Sequence, residues 1–201
     1  MNVGAGLLLL GAGQGLFLAT LLLIRPSMRI PANLFLAALI GGLALTLLDD
    51  FALGAGFYAG MPGLIGWPLI AMPFLAPALR LHIDAVTERG EWHWQDHHRR
   101  LLIVPAVCLA LLVPFLALPP PTRAAILADT SDASVGVITA LYTYLAAFVI
   151  VAVQQGHALY RSLNRVSRFA EGLDPSTLAR LIWLRAIVLL ASACWLGYVA
   201  S

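Results

Sequence analysis

The chain has 201 residues, of which 61% are hydrophobic and only 11% are charged, and its mean hydropathy is +0.89. Soluble domains average roughly 45–50% apolar and about 25% charged residues, so this composition excludes a water-soluble globular protein, a disordered tail and a fibrous chain. The formal net charge of +2 argues neither for nor against a nucleic-acid surface. We therefore predict an all-α, polytopic membrane protein that forms a single transmembrane domain over residues 1–201.

Six apolar stretches are predicted to cross the bilayer as helices, because about 20 residues are needed to span the hydrocarbon core. They cover residues 3–24, 31–53, 63–83, 101–118, 134–160 and 178–201. The first has no basic residues before it and is too long for a signal peptide, so we expect it to be retained. Prolines inside the third and fourth stretches are compatible with a bundle, in which neighbouring helices satisfy the freed backbone groups. Residues 119–121, all proline, are predicted to form a stiff external turn.

The arginines are distributed unequally between the two sides of the predicted bundle. Eleven of the twelve flank the connections after spans one, three and five, and Arg123 alone falls on the other side. Basic residues are retained on the cytoplasmic side of a membrane. The distribution therefore predicts a multi-pass protein whose N-terminus lies outside and whose connections after spans one, three and five lie in the cytoplasm.

The segment His93-Trp94-Gln95-Asp96-His97-His98 brings together more potential metal-binding side chains than any other short segment of the sequence. Its spacing is similar to one histidine box of the membrane di-iron desaturases and hydroxylases, in which neutral imidazoles share iron. Those enzymes need several such boxes, whereas this chain has five histidines in total. The favoured interpretation is an interfacial loop in which tryptophans meet lipid headgroups, with a metal site of His93, His97 and His98 as the alternative. We expect no catalytic residue and no cofactor.

Polar residues within the apolar stretches are the candidate ligand-binding groups, because a polar or charged side chain at membrane depth is costly. Asp49 and Asp50 lie at the outer end of span two, where adjacent positions point about 100° apart on a helix. The other candidates of this kind are Gln14, Arg80 and Gln154. For each of them a structural role, as a helix end or as a hydrogen bond between helices, is the alternative.

Small residues predict where helices approach each other. Gly11 and Gly15 form a G-x-x-x-G face in the middle of span one, and such a face allows close packing of a second helix. Cys108 and Cys194 both lie inside apolar stretches, and we expect them to be packing residues and not a disulfide.

The order of several segments resembles a known family. Span one contains Gly-Ala-Gly-Gln-Gly-Leu-Phe-Leu-Ala, and a short basic turn leads to Ala-Asn-Leu-Phe-Leu-Ala-Ala-Leu. The acidic end of span two, the segment Pro-Phe-Leu-Ala-Pro-Ala-Leu-Arg-Leu and the segment Leu-Ala-Arg-Leu-Ile-Trp-Leu-Arg follow. These features occupy residues 11–19, 32–39, 49–50, 73–81 and 178–185. Together they resemble the seven-span membrane sensor half of bacterial AraC-type transcription regulators.

The resemblance implies a sensory domain in the bacterial inner membrane, which binds a periplasmic or lipid-like signal and relays it to a cytoplasmic helix-turn-helix output. That output and the family's seventh span lie outside these residues, so no direct nucleic-acid contact is expected from them. The expected partners are membrane lipid, a small-molecule or lipid ligand, and a second copy bound through the small-residue faces. The alternatives are a small transporter or channel subunit, or a histidine-box metalloenzyme.

Overall fold

The computed structural model describes residues 3–26, 30–87, 92–128, 135–139, 141–146, 149, 153 and 160. These residues form helices and short connections, with no strand among them, as predicted. The chain divides into one unit of Met1–Val151 and another of Ala152–Ser201. The architecture that follows is that of the first unit.

Four long helices make up most of this unit, and all four are long and apolar enough to cross a membrane. They are α1 (Val3–Ile24), α2 (Pro31–Gly54), α3 (Pro68–Thr87) and α4 (Asp96–Leu116). Two short 3-10 turns, Phe57–Ala59 and Pro62–Leu64, connect α2 to α3, and a short helix α5 (Pro120–Ala128) follows α4. Of the two remaining predicted spans, the fifth is helical at residues 135–139 and 141–146, and the sixth lies outside the described residues.

The predicted bounds of the first two spans agree with α1 and α2 to within a residue. The predicted third and fourth spans, residues 63–83 and 101–118, overlap α3 and α4 but differ from them by two to five residues at their ends. Helix α4 begins at Asp96 because Gln95 and His98 cap its first turn. Residues 119–121 were interpreted wrongly, since Pro120 opens α5 instead of forming a turn. Proline is favoured in a first helical turn, where its missing N–H has no partner to lose.

Helices α1 and α2 pack closely through small residues. A Cβ built on Gly15 would lie 2.8 Å from the Cβ of Ala44, and one built on Gly11 would lie 3.3 Å from Leu47. The predicted G-x-x-x-G packing face is therefore confirmed. Because position 15 meets 44 and position 11 meets 47, the two helices run antiparallel.

Two buried side chains tie neighbouring helices together through backbone carbonyls. The His82 ring on α3 donates through Nδ1 to the carbonyl of Ala32 on α2, at 2.7 Å. The hydroxyl of Tyr144 donates to the carbonyl of Leu69, also at 2.7 Å. Tyr144 belongs to a buried cluster that includes Cys108, which confirms the packing role expected for that cysteine.

The four helices alternate in direction, so their connections gather at two ends. The α2–α3 connection, the end of α4 and the start of α5 lie at what we call the Asp49 end, after the residue near the end of α2. The start of α2, the end of α3 and the start of α4 lie at the His98 end. The candidate functional groups are divided between these ends.

Candidate functional site

The Asp49 end contains a cavity of about 440 Å³ between the end of α2 and the α2–α3 connection. Its walls are apolar apart from one carboxylate and one phenol. The lining residues are Leu9, Leu45, Leu48, Asp49, Phe51, Ala52, Phe57, Tyr58, Leu64, Trp67 and Pro68. Small-molecule sites typically occupy roughly 300–1,000 Å³ and have this mixture of apolar walls and few polar groups.

Asp49 and Tyr58 form the polar centre of the cavity. Gly56 has a left-handed backbone (φ 69°), and the chain turns there so that Tyr58 returns toward the end of α2. The Tyr58 hydroxyl donates a hydrogen bond to Oδ1 of Asp49. Burial, this hydrogen bond and the negative charge of the two neighbouring aspartates raise the pKa of Tyr58 above its ordinary value. The phenol therefore stays protonated and remains a donor.

The connection that supplies Trp67 to the cavity is held by a buried cation. Arg123 on α5, only 6% exposed, donates to the carbonyls of Ile65 at 2.6 Å and Gly63 at 3.3 Å. Gly66 has a positive φ of 88°, and a Cβ there would lie 2.8 Å from the ring of Phe115. The segment thus has a fixed path over the end of α4, which positions one wall of the cavity.

The other predicted ligand-binding residues do not join Asp49 in this cavity. Asp50 is exposed and does not line it, as expected for an adjacent helical position. Gln14 lines a separate, more open groove of about 520 Å³ on the surface of α1, with no hydrogen-bond partner among the described residues. Arg80 lies toward the opposite end of α3, and Gln154 lies outside the described residues. The predicted set is therefore not one site.

At the His98 end, two basic side chains lie beside the carboxylate of Asp84 on α3. Nε of Arg80 lies 2.9 and 3.1 Å from the two carboxylate oxygens of Asp84, one helical turn away. Nε2 of His98 lies 3.8 Å from the same carboxylate, and the His98 side chain is only 1% exposed. Arg80, predicted as a ligand-binding residue, is thus engaged in an ion pair.

The possible metal ligands at this end are not the three histidines that the sequence spacing indicated. Ligand atoms of Asp84, His97 and His98 lie within 4.8 Å of one another, whereas His93 is not in this group. The backbone N–H of Gln95 donates to Nδ1 of His98 at 3.2 Å, so a neutral His98 carries its proton on Nε2, facing Asp84. A metal on Nε2 would require that proton to move to Nδ1 and would break the helix cap. The arrangement favours a helix-capping role for His98, with its Nε2 facing Asp84.

Aromatic rings cover the buried histidine. The ring of Trp92 stacks on His98 with centroids 5.3 Å apart, and Phe35 on α2 meets Trp92 edge-on at 5.2 Å. Trp94 packs against the same group and remains 48% exposed. The expectation of a simple loop was wrong for His97 and His98, because both belong to the first turn of α4.

Three groups that shape these sites were not singled out as site residues from the sequence. Asp84 had a detectable signal, since it follows Arg80 by four residues on one helix face. Tyr58 and Arg123 had none, because their partners depend on how connections fold back. Comparisons with protein-family models, with curated proteins and with solved structures found no match.

Proposed function

We propose that the chain is the sensory domain of a bacterial inner-membrane regulator, with six spans and its N-terminus outside. In this proposal it binds a periplasmic or lipid-like signal and relays the change to a cytoplasmic transcription-regulator output. The observation that carries the proposal is the cavity at the Asp49 end, a ligand-sized space with apolar walls and a single carboxylate.

The charge distribution supports the orientation. Arg25, Arg99 and Arg100 are exposed at or near the His98 end, where they would meet the cytoplasm and lipid phosphates. The Asp49 end, with exposed Asp50, would then face the periplasm. This orientation opens the cavity toward an external or outer-leaflet signal.

Helix α2 provides a physical connection between the two ends. Asp49 lies near its last turn, whereas Phe35 in its second turn contacts Trp92 beside His98. Between them, α2 packs tightly on α1 at Ala44 and on α3 at Gly42, where a Cβ would lie 2.5 Å from Leu75. A shift of α2 caused by a signal would therefore change the packing of the aromatic group at the His98 end.

The proposal is tested without knowing the signal, by comparing transcripts in native cells. One strain carries the wild-type gene, one a deletion and one Asp49→Asn, which alters the cavity without changing its volume. We expect the deletion and Asp49→Asn to change overlapping small sets of transcripts. Asp96→Asn, which removes an exposed carboxylate at the His98 end, is the matched control and should leave those transcripts unchanged.

A regulatory role is contradicted if the deletion leaves transcription unaltered. It is also contradicted if the transcript changes disappear when an extracellular solute is supplied and purified protein moves that solute across vesicles. The second result would instead favour the transporter alternative.

A further inference from the structure

The cavity at the Asp49 end holds a carboxylate that lacks a cationic partner among the described residues. Oδ1 of Asp49 accepts from Tyr58, and Oδ2 accepts nothing from the described part of the chain. The ion pairs of that part lie at the His98 end, and none involves Asp49 or Asp50. A ligand in the cavity would therefore meet a carboxylate that has no cation of the described chain beside it.

The nearby groups do not offset this charge. Tyr58 is a neutral donor, so it brings no positive charge to the carboxylate it contacts. Arg123 is the described arginine at this end, and its guanidinium points to the carbonyls of Gly63 and Ile65. It forms no ion pair with either aspartate.

Four aromatic side chains, Phe51, Phe57, Tyr58 and Trp67, line the same cavity. The faces of aromatic rings attract cations, with tryptophan the strongest, and aromatic groups of this kind recognise quaternary ammonium ions. The remaining walls are aliphatic and suit apolar substituents. A bare metal ion fits poorly, because calcium requires six to eight oxygen ligands and the lining side chains offer only a carboxylate and a phenol.

We propose that this cavity binds an organic cation that carries apolar substituents, such as a quaternary ammonium or phosphonium ion. This inference rests on the proposed function, since it names the chemical class of the signal that the sensory cavity takes. Asp49 supplies the counter-charge, and Trp67 and Phe57 supply the aromatic faces. The cation enters from the Asp49 end, where Trp67 is 59% exposed.

The test compares two ions of nearly the same shape and opposite charge, tetraphenylphosphonium and tetraphenylborate. Binding to the full chain is measured by equilibrium dialysis in nanodiscs of neutral phosphatidylcholine, with empty nanodiscs subtracted. We expect saturable binding of tetraphenylphosphonium and no saturable binding of tetraphenylborate. Asp49→Asn should weaken the cation's binding by about tenfold or more. Asp96→Asn, at the other end, should retain wild-type affinity.

A second variant distinguishes the loss of the binding site from the loss of the folded structure. Trp67→Leu replaces a largely exposed side chain and should weaken cation binding several-fold, and helical circular dichroism confirms that each variant is folded. Equal saturable binding of both ions, or wild-type affinity in folded Asp49→Asn, overturns the cation assignment. The transcript measurement tests the sensory role separately. If transcripts change in Asp49→Asn but the cation does not bind, the cation assignment is wrong and the sensory role still stands.

Discussion

The contact between α1 and α2 gives a sharp prediction, because Gly15 faces a methyl group that cannot rotate away. In Gly15→Ala the new Cβ would lie 2.8 Å from the Cβ of Ala44, whereas carbon atoms in contact sit at about 3.5–4.0 Å. The helices must then separate locally by roughly 1 Å, and overpacking of this kind costs about 1–3 kcal/mol. Gly13→Ala is the matched control, since its Cβ meets nothing within 4 Å.

The assay is the free energy of unfolding in mixed micelles, from SDS titrations followed by circular dichroism. We expect Gly15→Ala to be less stable than Gly13→Ala by about 1–3 kcal/mol. Ala44→Gly introduced into Gly15→Ala should restore most of the loss, because the nearest remaining atoms are at 3.6 Å or beyond. Equal stability of the two alanine variants, or no rescue by Ala44→Gly, would show that α1 and α2 do not pack along this face.

Three further predictions concern single polar groups. Arg123→Met should lower the unfolding free energy by about 2 kcal/mol, because it leaves two carbonyls without their charged donor. Arg123→Lys should recover only part of this loss of stability, since an ammonium lacks the forked geometry of the guanidinium. His82→Leu should cost about 1–3 kcal/mol in the same SDS titration, whereas His82→Asn, whose amide can replace Nδ1, should cost less; equal losses would mean that the hydrogen bond is unimportant. The phenol of Tyr58 should ionise later than an ordinary tyrosine of pKa about 10, so the 295 nm difference between wild type and Tyr58→Phe should appear only at higher pH. Because the folded-state pKa is raised, the stability linked to this phenol is complete below about pH 10 and is lost as pH rises further; a difference already half complete at pH 10 would refute the contact with Asp49.

The sequence was most informative about the long apolar helices. Long apolar stretches define α1 and α2 almost to the residue, and both helices have the length needed to cross a bilayer. The G-x-x-x-G face could also be predicted, because only small residues at Gly11 and Gly15 permit the approach of α2. These features depend on local composition and are therefore readable without a structure.

The candidate sites were less predictable because they depend on tertiary contacts. Asp49 was identified as a polar residue at a helix end, but its partner Tyr58 is brought back by a left-handed glycine and a 3-10 turn. Similarly, the spacing of histidines suggested three ligands, whereas His98 caps its own helix and faces Asp84. Residue types identify what chemistry is available, and the turns between helices decide which groups meet.

The buried Arg123 also has a consequence for how the protein is made. In the proposed topology it is the single arginine on the periplasmic side, so its charge must be translocated across the membrane during insertion, against the usual retention of basic residues. Its bond to the Ile65 carbonyl joins α5 to the α2–α3 connection, across 58 residues of sequence. Both segments must therefore reach the same side before the bond forms, after which the guanidinium is shielded from water. This contact would therefore form only in chains in which α3 and α4, the two helices between its partners, have both crossed the membrane.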